Sequence, residues 1–197
     1  MSSILTNLRS AVITGFVFAF ILIFFLAQGS FDQTAFNMWL LRWLHVLSGV
    51  MWVGILYYFN FVQIPNMPNI PDDQKPAISK VIAPAVLFWF RWGAMATIIT
   101  GLLLAWINGY LVGAIQLGLA DGVAKHTAIG IGMWLGAIMW FNVWFVIWPN
   151  QKKALGIVEA DSDTKAASAR TAMLFSRTNT LLSIPMLYAM VVAQNLY

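Results

Sequence analysis

The sequence predicts an all-α integral membrane protein with five transmembrane helices, and three observations carry that prediction. Of its 197 residues 60% are hydrophobic and only 9% charged, where a soluble domain carries about 25% charged residues. Mean hydropathy is +0.77. Apolar stretches long enough to cross a hydrocarbon core, about 20 residues each, recur along the chain, and the polar residues gather between them. No long polar stretch interrupts the pattern, so residues 1–197 are expected to form a single membrane domain in a lipid bilayer. Cysteine is absent, which excludes disulfides, thiolate metal sites and covalent c-type haem attachment. The net charge of +4 is scattered through loops rather than clustered, so nucleic acid is not an expected partner.

The first span is expected at about residues 10–28. Arg9 precedes "AVITGFVFAFILIFFLAQGS", whose apolar core is longer than that of a signal peptide and lacks a small-residue cleavage site. The others are expected at about 37–63, 83–107, 124–148 and 170–194. Between the second and third, "PNMPNIPDDQKPAISK" predicts a short interfacial helix from Asp72. Between the fourth and fifth, "QKKALGIVEADSDTKAASAR" predicts a polar connector with helical ends. This arrangement puts Arg9, Lys75, Lys80, Lys152, Lys153, Lys165 and Arg170 on one side and Arg42 and Lys125 on the other. The excess of cations predicts a cytoplasmic N-terminus and an outer C-terminus.

Spans two and four read as a degenerate repeat. "RWLHVLSGVMWVGILYYFN" and "KHTAIGIGMWLGAIMWFN" hold the only histidines, His45 and His126. Each is followed four residues later by a glycine, Gly49 or Gly130, which helical spacing places on the same face one turn along. Met51-Trp52, Gly54, Phe59-Asn60 and Pro65-Asn66 then match Met133-Trp134, Gly136, Phe141-Asn142 and Pro149-Asn150. From histidine to asparagine is fifteen residues in the first copy and sixteen in the second. One extra residue rotates a helix by about 100°, so the asparagines share a face only if span four contains a π-bulge.

Ionisable groups inside a span are functional candidates, although glycines also serve close helix packing and a lone histidine can simply bond across a helix pair. Two imidazoles from neighbouring helices suit the axial positions of one haem b iron, with Gly49 and Gly130 leaving room for the porphyrin. Arg42 and Lys125 are the nearest cations for its propionates. Copper is the alternative, since imidazole and methionine both bind it, while zinc requires more ligands than two histidines supply. Toward the other side, Arg91 and Arg177 lie roughly 10–12 Å below the surface at 1.5 Å rise per residue. With Asn60 and Asn142, and with Gln63 and Asn179 nearby, they form a possible anion site. The competing reading is snorkelling arginines and interhelical amide bonds. No span carries a carboxylate, and Ser48 and Ser183 have no evident His/Asp relay.

"RWLHVLSGVMWVG", "RWGAMATIITGL", "NVWFVIWPNQKK" and "NTLLSIPMLYAM" resemble, in order, the membrane domain of bacterial urate oxidases of the PuuD type, from about Arg42 to Met190. The more specific parts are Asn-Val-x5-Pro-Asn-Gln and Asn-Thr-x4-Pro. The resemblance implies a bacterial inner-membrane location and a redox role, and it carries the family's histidines onto His45 and His126. That family joins the membrane domain to a C-terminal cytochrome c, whereas this cysteine-free chain reads as a short form that hands electrons to a separate cytochrome or a larger membrane redox complex. The expected function is therefore haem b-based electron transfer in the membrane. The alternatives are oxidation of urate or a porphyrinogen with a separate cytochrome acceptor, an accessory structural subunit, and copper handling.

Overall fold

The computed structural model describes residues 2–26 and 32–197, and every regular element among them is a helix. The chain divides into two compact units, Met1–Asn37 and Met38–Tyr197. In the first, α1 (Leu8–Leu26) starts where the Asn7 side chain accepts the Arg9 backbone N–H at 2.9 Å, satisfying a donor that a helix start leaves free. None of its residues is buried, and it is apolar on every side, as a helix surrounded by lipid must be. Residues 27 and 28 of the first predicted span lie outside the described residues.

Besides a single helical turn at Ser2–Leu5, the remaining helices are α2 (Gln33–Asn69), α3 (Lys75–Ile107), the short α4 (Leu111–Ile115), α5 (Ala124–Ala154) and α6 (Ser162–Asn195). By length and composition, α1, α2, α3 and α5 can cross a membrane. The fifth expected span falls within α6, which has 34 residues but is less apolar, because it spends its buried face on small and polar residues. Ser168, Ala172, Ser176, Asn179, Ser183, Ala189 and Ala193 are all buried, letting neighbouring backbones approach closely. The core against it is built from Trp52 and Leu56 of α2, Leu87 and Phe90 of α3, and Met139 and Val143 of α5.

No separate interfacial helix starts at Asp72. Met67–Asn69 is a 3-10 turn, and the next helix starts at Lys75 and runs unbroken into α3. Pro76 accounts for the start, since a proline at a helix's first positions lacks only an N–H that would have gone unpaired. At the other end of α3, the segment before α5 folds into a hairpin containing α4.

Each of the three long helices α2, α3 and α5 widens into a π turn, at Tyr58–Gln63, Ile78–Ile82 and Asn142–Ile147. In every case a proline, Pro65, Pro84 or Pro149, lies two residues past the turn. The residue before that proline donates five residues back: Ile64 to Phe59, Ala83 to Ile78, Trp148 to Val143. A proline ring clashes with the carbonyl four residues back and offers it no hydrogen bond, and the wider turn relieves that clash. Span four does contain a π turn, but it begins at Asn142 and so does not absorb the extra residue between His126 and Asn142, and α2 has one of its own.

Both asparagines reach α6. Asn60 donates to the Ser176 hydroxyl at 2.8 Å, and Asn142 donates to the Asn179 carbonyl oxygen at 2.8 Å. Asn179 in turn donates to the Met139 backbone carbonyl at 2.9 Å. The tryptophans of the repeat do not correspond: Trp52 is 1% exposed, whereas Trp134 is 49% exposed. Trp52 stands seven residues after its histidine and Trp134 eight, so the extra residue turns the second indole out of the core.

Candidate functional site

His45 points from α2 to α3. Its Nδ1 lies 3.0 Å from the Thr97 carbonyl oxygen and 3.2 Å from the Thr100 hydroxyl. A carbonyl only accepts, and the Thr100 hydroxyl gives its own proton to the Ala96 carbonyl at 2.6 Å. Nδ1 must therefore carry the hydrogen, leaving a lone pair on Nε2. The ring rests on Gly101, where an added Cβ would come within 2.9 Å of the imidazole Cε1. Gly49 does share the histidine's face and meets the same helix, its Cβ position lying 4.0 Å from the Thr97 methyl.

His126 is anchored in a different way with the same result. Its Nδ1 lies 2.6 Å from the Asp121 carboxylate, an acceptor that again requires the hydrogen on Nδ1. The carboxylate is itself held by the Val123 N–H at 3.0 Å. That bond first, and the His126 ring second, keep the Asp121 carboxyl below the ordinary carboxylate range. Gly113 of α4 leaves the space that the imidazole fills, since a Cβ there would lie 2.6 Å from Nδ1. Among the described residues, neither histidine's Nε2 has a hydrogen-bond partner.

The two imidazoles thus lean on one stretch of chain, Gly101 at the end of α3 and Gly113 in α4. Tyr110, between these glycines in sequence, lies against the second imidazole: its ring centroid is 6.2 Å from that of His126. Burial raises the Tyr110 phenol pKa while the Arg42 cation lowers it, so Arg42, three residues before His45 on α2, is within electrostatic reach of Tyr110. Gly130 serves the hairpin rather than open space, because a Cβ there would collide with the Ala114 carbonyl oxygen. The hairpin also holds Leu117 at φ 56, a left-handed conformation uncommon outside glycine. The Thr127 hydroxyl donates to the Leu117 carbonyl at 2.8 Å and keeps it there.

Each imidazole has its Nδ1–H anchored and its Nε2 without a partner among the described residues, so Nε2 is the ring atom that could serve as a metal ligand. Two imidazole donors are too few to enclose zinc. Sequence reasoning missed Thr97, Gly101, Gly113 and Asp121. Only Asp121 left a trace, as an Asx-turn signal in "LADGVAKH". Lys125 is half-buried next to His126, and Arg42 is exposed.

The expected anion site is not drawn together in the same way. Asn60 and Asn142 spend their amides on α6, as described above. The Arg91 guanidinium stacks 3.5 Å above the Trp148 ring and lies 5.6 Å from that of Trp144, and Arg177 is exposed.

With this geometry in view, the comparison with known families is specific. Residues 121–195 match the urate oxidase N-terminal family. The urate oxidase match begins at Asp121, contains His126, and runs through α5 and the whole of α6. It is narrower than the resemblance seen from Arg42 to Met190, and His45 falls outside it. No curated protein and no solved structure matches the chain.

Proposed function

We propose that this is a bacterial inner-membrane redox protein that holds haem b through the Nε2 atoms of His45 and His126 and exchanges electrons with a separate cytochrome or membrane complex. One observation carries the reading: the only two imidazoles are both fixed by an acceptor at Nδ1, so that both Nε2 lone pairs are free for a metal. Haem, when bound, supplies one-electron redox chemistry whose potential depends on its ligands and their hydrogen bonds. The Asp121 carboxylate makes His126 a more basic ligand, and the neutral Thr97 carbonyl does so less for His45. Arg42 and Lys125 are the cations assigned to the propionates. In the orientation favoured by the loop charges, with the N-terminus cytoplasmic, this end of the helices faces outward.

The family match favours a second reading, in which the chain oxidises urate and passes the electrons to that acceptor. A pyridine haemochrome assay of the purified protein tests the cofactor, and stoichiometric copper without haem would replace it with copper handling. Urate added anaerobically to oxidised protein then separates the two readings. Growth of the α band supports urate oxidation. A haem reducible by dithionite but not by urate leaves an electron-transfer subunit.

A further inference from the structure

We propose that Arg91 and Lys152, both set against the Trp148 ring, form a site for the phosphate of an acidic phospholipid. The Arg91 guanidinium lies 3.5 Å from the Trp148 ring centroid, and the Lys152 ammonium lies 5.8 Å from the same ring. Cation–π attraction positions both groups but neutralises neither. Among the described residues the carboxylates within 4.0 Å of a basic group are Asp72, at Lys75, and Asp121, at His126, so neither cation has a carboxylate. Arg91 uses Nε to donate to the Leu87 carbonyl at 3.2 Å, and its two terminal nitrogens have no acceptor among the described residues. A guanidinium presents those nitrogens as a fork matched to two phosphate oxygens.

The surroundings indicate what kind of phosphate fits. Phe88 and Trp92, which flank Arg91 along α3, and Phe145, three residues before Trp148 on α5, are each about half exposed, an apolar border that suits acyl chains better than a free, hydrated ion. Trp148–Ala154 is the last stretch of α5, which puts Lys152 near the membrane surface, where tryptophan and basic side chains meet headgroups. The Lys152 backbone is held as well, its carbonyl accepting from Ile157 and Val158 at 2.9 and 3.1 Å.

Native mass spectrometry of the full chain, mixed with equimolar phosphatidylglycerol and phosphatidylcholine, tests the site. The wild type is expected to retain phosphatidylglycerol preferentially. Arg91→Gln and Lys152→Gln should each lower that preference about fivefold, the effect of one cation near a lipid surface. Arg177→Gln, an exposed arginine elsewhere, should not change it. Lys152→Gln keeps the test open should Arg91→Gln fail to fold. Equal retention of the two lipids by the wild type overturns the proposal, as does an equal loss in Arg177→Gln, which would mean diffuse charge. Displacement of the lipid by millimolar inorganic phosphate would assign the site to free phosphate and overturn the lipid assignment.

Discussion

Replacing His45 or His126 with alanine is expected to abolish the Soret and α bands of the purified protein or convert them to those of a haem with one axial ligand lost. In the proposed site each histidine would supply half of the donor set, and the sequence holds no third imidazole to substitute. A spectrum unchanged in both variants would remove the haem proposal. Asp121→Asn gives a graded companion result. The amide keeps the shape of the carboxylate but not its charge, so His126 becomes a weaker donor to ferric iron and the reduction potential should rise, with the bands retained. An unchanged potential would mean that His126 is not a ligand.

Gly130→Ala is expected to destabilise the protein by about 1–3 kcal/mol or more, the usual cost of overpacking. The added Cβ meets the Ala114 backbone carbonyl, which is part of the α4 hairpin and cannot rotate away as a side chain would. Gly49→Ala, the corresponding change in the first copy of the repeat, should be neutral or slightly stabilising. Its Cβ makes ordinary contact with Thr97, and alanine favours a helix over glycine by about 1 kcal/mol. Thermal unfolding of the two variants in one detergent measures the difference. Equal melting temperatures would contradict the close approach of α5 to the hairpin.

The long apolar helices were legible because the bilayer demands them: a run such as that of α1 has few other stable fates. The pairing of histidine and glycine was legible only in part. Helical spacing correctly put Gly49 on the face of His45, but it said nothing about which neighbour that face meets. Thr97, Gly101 and Gly113 become partners through packing between distant segments, with no period or motif to announce them. The hairpin around α4 left no signal in the sequence, because its five-residue helix is too short to show a period. The one-residue difference between the two copies was visible in the sequence, and its effect on Trp134 followed from helix geometry, yet the proline-dependent widening at three places required the backbone to be seen.

Those widened turns alter how the surface of the molecule should be mapped. A helical wheel drawn without a break from Gln33 to Asn69 assigns the residues after Gln63 to the wrong side, since each extra residue taken up in a turn shifts the phase by about 100°. The chain contains no cysteine, so single cysteines can be walked along α2 without first removing any native thiol. Their labelling from the lipid phase would keep a period of 3.6 on both sides of Tyr58–Gln63, with a phase slip between the two wave trains. The same slip should recur at Ile78–Ile82 and Asn142–Ile147, giving three fixed marks for assigning depth and rotation along the membrane.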